Sequence, residues 1–343
     1  MDFDVIIIGG GPAGLACATI TAKSGLKTIV FEKKTKIGSK VCAGGITWNG
    51  LISRLSGDIA ERSFSEQFIH SSFQKICIQS SHPIIATVNR RRLGQEMAAA
   101  ARQAGAEVFE GWQVKIIGDG QLVACQRSTG LSRTFHSRYL VGADGSSSLV
   151  RRYLKVPAIL KGIGVNYLIK GEYKNMEWHL SPTHFNNGYG WIFPHLGSAS
   201  IGGYVDSRVM SALNLKENIV AWAGSRGIDL TGLRAQADMI NFDYRGYRFG
   251  NIFLAGDAAG LASALTGEGI YPAIVSGEHI GRVIAGHVTD LKNFKRLLRN
   301  HRRHQLLTTF SGKSNLLAVP LMELLILGLR NKLIDFSSAE MAR

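Results

Sequence analysis

Val5-Ile6-Ile7-Ile8-Gly9-Gly10-Gly11-Pro12-Ala13-Gly14, with Glu32 downstream, decides how this chain begins. The β-branched apolar run reads as a buried parallel strand. Gly9 makes the tight turn out of that strand, and Gly11 leaves the backbone open to a pyrophosphate. Gly14 lets the next helix pack close to the sheet. Residues 15–23 are helix-compatible, so the free N–H groups at the helix start, beside Pro12 and Ala13, face the phosphates. Gly25 ends the helix. Residues 27–31 read as the second strand. Glu32 and Lys33 stand at its end, where the acid accepts hydrogen bonds from ribose hydroxyls and disfavours a 2′-phosphate. A glycine-rich turn without a ligand is the plain alternative, but here strand, glycines, helix and acid stand in register.

Two further stretches repeat the pattern of strand, small residues and acid. One is Gly142-Ala143-Asp144-Gly145 with Ser148 and Arg151. The other is Phe253-Leu254-Ala255-Gly256-Asp257-Ala258-Ala259-Gly260, followed by Thr266-Gly267-Glu268-Gly269-Ile270. Asp144-Gly145 also reads as a simple turn, and Asp257 as a helix N-cap. The order and spacing of all three point to one extended dinucleotide, FAD. Asp257 would then accept from a ribityl hydroxyl. Gly267, Gly269 and Ile270 would bring backbone against the isoalloxazine ring and tune its charge.

The chain has 343 residues, enough for a large core and two lobes. Its 40 basic and 25 acidic side chains leave a net charge of +15, which suits an anionic membrane, an acidic redox partner or nucleic acid. No recognised nucleic-acid fold or stacking platform is visible, so nucleic acid is set aside. The strand starts at once, so no leader is expected. No run approaches the roughly 20 apolar residues of a membrane span. Cys17, Cys42, Cys77 and Cys125 show no paired spacing and read as cytosolic thiols. His179, His184 and His195 are not at metal-ligand spacings, and no metal site is indicated.

The expected fold class is α/β: a Rossmann-like FAD-binding domain (GR2 type), an inserted β-rich substrate domain, and a helical C-terminus. The FAD-binding domain is discontinuous, over residues 1–70, 85–154 and 249–290. The substrate lobe takes 71–84 and 155–248, and the helical segment 291–343. Residues 41–65 read as a loop and short helix, 91–104 as a helix, and 113–127 with 134–139 as a meander carrying Val114 to the cofactor.

Together these motifs resemble the aromatic-hydroxylase-like flavoproteins, and within them the geranylgeranyl reductase family, over residues 5–277. Gly260 and Thr266 stand where the hydroxylases usually have His and Pro. Asn89-Arg90-Arg91-Arg92-Leu93 resembles the family's arginine before the helix that flanks FAD, although a basic triplet is also often a solvated face. Lys40-Val41-Cys42-Ala43-Gly44-Gly45 resembles the reductases' loop beside the flavin, with Ala43 in place of a glycine. The resemblance implies Cys42 as a catalytic proton donor or gate, against the commoner fate of a small apolar filler. Tyr189-Gly190-Trp191-Ile192-Phe193-Pro194 resembles the family's substrate-cavity motif. Its alternation puts Tyr189, Trp191 and Phe193 on one face, which suits a core as well as an apolar substrate.

The implied activity is an FAD-dependent oxidoreductase that reduces C=C bonds of an isoprenoid or related apolar substrate by hydride transfer. No second nucleotide motif is visible, so the electron donor is NAD(P)H or a ferredoxin-like protein. The alternatives are a flavin monooxygenase or halogenase, and a maturation flavoprotein acting on a partner protein. The basic residues 292–304 and apolar residues 316–329 make an anionic membrane surface a candidate partner. The expected location is cytoplasmic, with peripheral membrane contact as the variant.

Overall fold

The computed structural model describes residues 1–38, 43–47, 59–287, 292–311 and 315–342. Its first layer is a parallel sheet in the spatial order Ile252–Leu254, Ser132–Gly142, Asp2–Ile8, Thr28–Glu32, Glu107–Glu110. Val5, Ile6 and Ile7 are fully buried, as a strand covered on both faces requires. The helix Pro12–Lys23 follows. It starts earlier than residue 15 because Pro12 presets φ, and at the first helical position its missing N–H costs nothing.

The long strand Ser132–Gly142 works twice. Its second half runs parallel to the first strand, and its first half pairs antiparallel with Gln121–Gln126, which pairs with Trp112–Ile117. This is the expected meander. The return segment closes the domain: the helix Ile270–Ile284 crosses Pro12–Lys23 closely, and a Cβ on Gly277 would strike the Ala13 carbonyl.

The second layer has seven strands: Gln236–Asn241, Lys161–Lys170, Ser198–Asp206, Tyr189–His195, Glu177–His179, Glu66–His70 and Lys75–Gln79. All pairings are antiparallel except Glu177–His179 with Glu66–His70. The helix Ala212–Gly224 covers one face through Leu215, Ile219 and Trp222, against Tyr167, Phe185 and Ile201. The sequence places residues 66–70 with the nucleotide domain. They belong here instead, because their hairpin with Lys75–Gln79 completes this sheet.

A small sheet of Gly45–Thr47, Ile85–Val88 and Ala60–Phe64 joins the layers. The described parts of 41–65 include strands at Gly45–Thr47 and Ala60–Phe64, and the short helix expected in this stretch lies outside the described residues. The helix Lys292–Ser311 buries Phe294 and Leu297 in the nucleotide-domain core. The helix Asn315–Arg330 lies on the edge hairpin, where Glu323 accepts from Phe73 N (3.2 Å) and Gln74 Nε2 (2.8 Å). No helix among the described residues is long and apolar enough to cross a membrane.

Candidate active site

A cavity of about 790 Å³ runs from the first glycine turn to the aromatic face of the second sheet. At its nucleotide end Gly9 has φ +110°, and a Cβ there would collide with the Ala143 backbone. A Cβ on Gly11 would meet nothing within 4 Å, so this backbone faces open space. Glu32 holds the turn: Oε2 accepts from Gly10 N (2.8 Å) and Oε1 from Lys34 N (2.9 Å). Each oxygen keeps a second acceptor site for a ribose hydroxyl. Pro12, Ala13, Glu32, Lys33 and Val114 line the wall. Gly14 does not, because its missing Cβ is the space occupied by the Gly9 carbonyl.

Asn89 caps the helix Arg90–Gln103, accepting from Arg91 N and Arg92 N at 3.0 and 3.2 Å. This cap puts Arg90 on the wall. Its Nε and Nη1 are buried with no hydrogen-bond partner among the described residues. Asp144 does more than make a turn: its Oδ2 accepts from Leu149 N (2.6 Å) and Val150 N (3.4 Å), at the start of the helix Leu149–Tyr153 that Ser148 caps. It also lines the cavity between Ala143 and Gly145. Its Oδ1 is buried with no hydrogen-bond partner among the described residues, and burial raises its carboxyl above the usual range. Arg151 is not on the wall. It donates to the Ala258 and Asp243 carbonyls at 3.1 and 2.6 Å and so ties two loops together.

Asp257 takes a hydrogen bond from Ser146 Oγ (3.2 Å), and its Oδ1 abuts Gly269. Gly256 lies off the wall with φ +55°, wedged against Ala13 and Ala273. Gly269 and Ile270 begin the helix Ile270–Ile284 at the cavity, so its N-terminal dipole faces inward. The second sheet holds the loop before that helix. Tyr189 Oη donates to Thr266 O (2.6 Å), Tyr204 Oη to Ala264 O (2.9 Å), and Gly267 (φ +66°) fits against the Tyr204 ring.

The other end is aromatic, with Trp178, Tyr189, Trp191, Phe193 and Phe336 on its wall. Trp191 and Phe193 have ring centroids 5.9 Å apart, and Trp178 and Phe336 5.3 Å. Pro194 does not line the cavity; its carbonyl accepts from Thr87 Oγ1 (2.8 Å). Cys42 lies outside the described residues, but its neighbours are held firmly. His195 Nδ1 lies 2.5 Å from Glu61 Oε2, and its Nε2 lies 3.0 Å from the Ala43 carbonyl. Gly44 lies against the His195 ring and off the wall, and Gly45 packs on Phe193.

Sequence reasoning assigned no role to Glu61, Thr87, Phe336 or Glu340, since nothing local marks them. Glu268 stood inside a quoted motif yet carried no role. It lies on the wall with its Oε1 buried, accepts from Met341 N (3.2 Å), and desolvation pushes its carboxyl up to about 7.

Buried polar atoms without partners among the described residues concentrate on this wall: Thr47 Oγ1, Arg90 Nε and Nη1, Asp144 Oδ1, Asn166 Oδ1, Trp178 Nε1 and Glu268 Oε1. Folded proteins rarely leave such groups unsatisfied, so the wall fits a long polar ligand at one end. The glycine turn, the acid and the inward helix N-terminus fit a dinucleotide.

Residues 2–171 match the family model described as FAD binding domain. The digeranylgeranylglycerophospholipid reductase 3 of Methanosphaera stadtmanae is 28% identical over 319 residues, covering 83% of this chain and 77% of the relative. The chain is an FAD-dependent oxidoreductase with geranylgeranyl reductase-like relatives. A geranylgeranyl bacteriochlorophyll reductase-like protein from Thermoplasma acidophilum shares the fold at TM-score 0.79 and 21% identity, with 94% of this chain and 91% of that one covered. A flavin-dependent brominase also shares it, at TM-score 0.72 and 18% identity over 100% and 95%.

Proposed function

We propose that this flavoprotein reduces C=C bonds of an isoprenoid-type apolar substrate. The observation that carries the reading is the continuity of the cavity: the wall fitted to FAD runs directly into the aromatic wall of Trp178, Tyr189, Trp191 and Phe193. The relatives' names point the same way. FAD, when bound and reduced, supplies the hydride, and a proton completes the addition at the other carbon. The cofactor is held by the backbone of Gly9 and Gly11, by Glu32, Arg90 and Asp257, and by the helix start at Gly269. Lys33, Val114, Ala143 and Gly145 complete its wall.

The aromatic wall aligns the chain and keeps water away, which an unactivated alkene needs. His195 and Glu61 hold Ala43 and Gly44, which follow in sequence the proposed proton donor, Cys42. NAD(P)H or a ferredoxin-like protein reloads the flavin. Anaerobically reduced protein mixed with geranylgeranyl lipids should reoxidise and give products heavier by pairs of hydrogens. Flavin that stays reduced until oxygen enters, then yields a hydroxylated or halogenated product, replaces this reading with the oxygenase one.

The substrate reaches the site from an anionic membrane surface. Lys295, Arg299, Arg302 and Arg303 share one face of Lys292–Ser311 with Leu306 and Leu307, which are 60% and 47% exposed. The protein should float with anionic vesicles at low salt and not with neutral ones. Reversing Arg299 and Arg302 to Glu should weaken that binding by about fivefold or more per residue, with FAD content unchanged.

A further inference from the structure

The strands Glu66–His70 and Glu177–His179 pair in parallel, with His70 opposite His179. Side chains two apart on a strand share a face, so Glu177 and His179 project together while Trp178 faces the cavity. Glu177 Oε2 lies 2.9 Å from His179 Nε2 and 3.5 Å from His70 Nε2. One ligand atom from each of the three lies within 4.8 Å of the other two. The His179 side chain is 1% exposed, and those of His70 and Glu177 are 15% and 17%. The cluster is sunk into the sheet, yet water reaches its outer side. His70 Nε2 has no hydrogen-bond partner among the described residues.

Zinc bonds of about 2.0–2.1 Å put tetrahedral ligand atoms about 3.4 Å apart. The two edges through Glu177 Oε2 bracket that value. The third edge must close, because the imidazoles are stacked with centroids 4.3 Å apart and planes 22° apart. Rotation about the broad terminal torsion of each histidine aims both ring nitrogens at one point.

The surroundings narrow the ion. Lys75 pairs with His70 across the hairpin. Arg226 lies over Trp222, whose ring packs on His179. These cations oppose hard ions such as calcium and magnesium, which bind oxygen ligands through charge. Imidazole nitrogen with one carboxylate suits zinc, cobalt or nickel.

We propose that His70, Glu177 and His179 hold one divalent cation of the zinc type, with solvent as a further ligand. The ion clamps the edge hairpin Glu66–Gln79 to the sheet, from the side opposite the cavity. The proposal stands independently of the flavin chemistry.

Cobalt titration of tag-free, FAD-loaded protein tests it, with zinc calorimetry alongside. The expected result is one equivalent bound, the visible absorption of low-symmetry cobalt, and displacement by zinc. His70→Gln and Glu177→Gln should each lower affinity by more than the about 10–100-fold typical of an outer-sphere partner. Both variants should keep their FAD content and far-ultraviolet dichroism, because both side chains face away from the cavity and keep some exposure to solvent. Zinc should also slow hydrogen exchange in residues 66–79 of the wild type and not of the variants. Absence of stoichiometric binding in the wild type overturns the proposal. So does binding that survives in both variants, which would belong to thiols such as Cys77.

Discussion

At the nucleotide end of the cavity, the wall is made by short loops that each follow a parallel strand. Their glycines do the work by lacking side chains. At the aromatic end, the wall is made by large side chains whose positions depend on partners far away in sequence: Tyr189 on Thr266, His195 on Glu61 and Ala43, Trp178 on Phe336. One end is therefore governed by backbone conformation and the other by long-range packing. Substitutions should separate the two by what they remove: the cofactor at one end, turnover at the other.

The largest effect should come from Gly9→Val. This position combines φ +110° with collision against the Ala143 backbone, so strain and clash together cost about 3 kcal/mol or more. The variant should purify without FAD, with a large drop in Tm. Gly25→Ala is the control, because Gly25 has φ +79° but open space around it, and it should cost about 1 kcal/mol and keep its FAD. Equal behaviour of the two would mean that crowding at the first turn has no part in the site.

Arg90→Ala should follow. Hydrogen bonds to a charged group contribute about 1.5–3 kcal/mol, so FAD affinity should fall by about 10–100-fold, read by fluorescence titration of apoprotein. His195→Ala should act at the opposite end. It frees Ala43 and Gly44 without touching the nucleotide wall. FAD content should stay near stoichiometric, while turnover falls by up to about 100-fold through misplacement of the loop. Loss of FAD in this variant would erase the distinction between the ends.

The same contrast explains what could be read from sequence. The parallel strands, the glycine turns and the alternation in residues 189–193 are local patterns, so the nucleotide fold and most of its wall were legible. Gly14 packs the helix on the sheet, as its sequence position implies, and Gly256, expected at the cofactor, serves packing against Ala13 and Ala273 instead. That Glu66–His70 belongs to the second sheet is hidden because the pairing that joins its hairpin to that sheet, with Glu177–His179, is short and spans more than a hundred residues. The clamp of His195 by Glu61 and the meeting of His70 with His179 were hidden for the same reason. Side chains that matter through partners carry no local signature.

Glu268 stands between the two ends, on a glycine loop but sealed by residues from the C-terminal segment, and its variant should leave FAD content and turnover unchanged and show itself only in the pH dependence of stability. Burial raises its carboxyl from 4.5 to about 7, the nearby Glu340 adds to this, and the Met341 N–H opposes it. A native pKa above the unfolded one means the folded state binds the proton more tightly. That stabilisation is fully present below about pH 4.5 and is lost as pH rises through about 7. The raised pKa corresponds to roughly 3 kcal/mol between those limits. Glu268→Gln keeps an acceptor for Met341 N but cannot ionise. Its Tm should fall less than that of the wild type between pH 5 and 8, with the two curves closest at the acid end. Parallel curves would mean that Glu268 ionises freely in the folded protein, and that the C-terminal segment does not seal the loop.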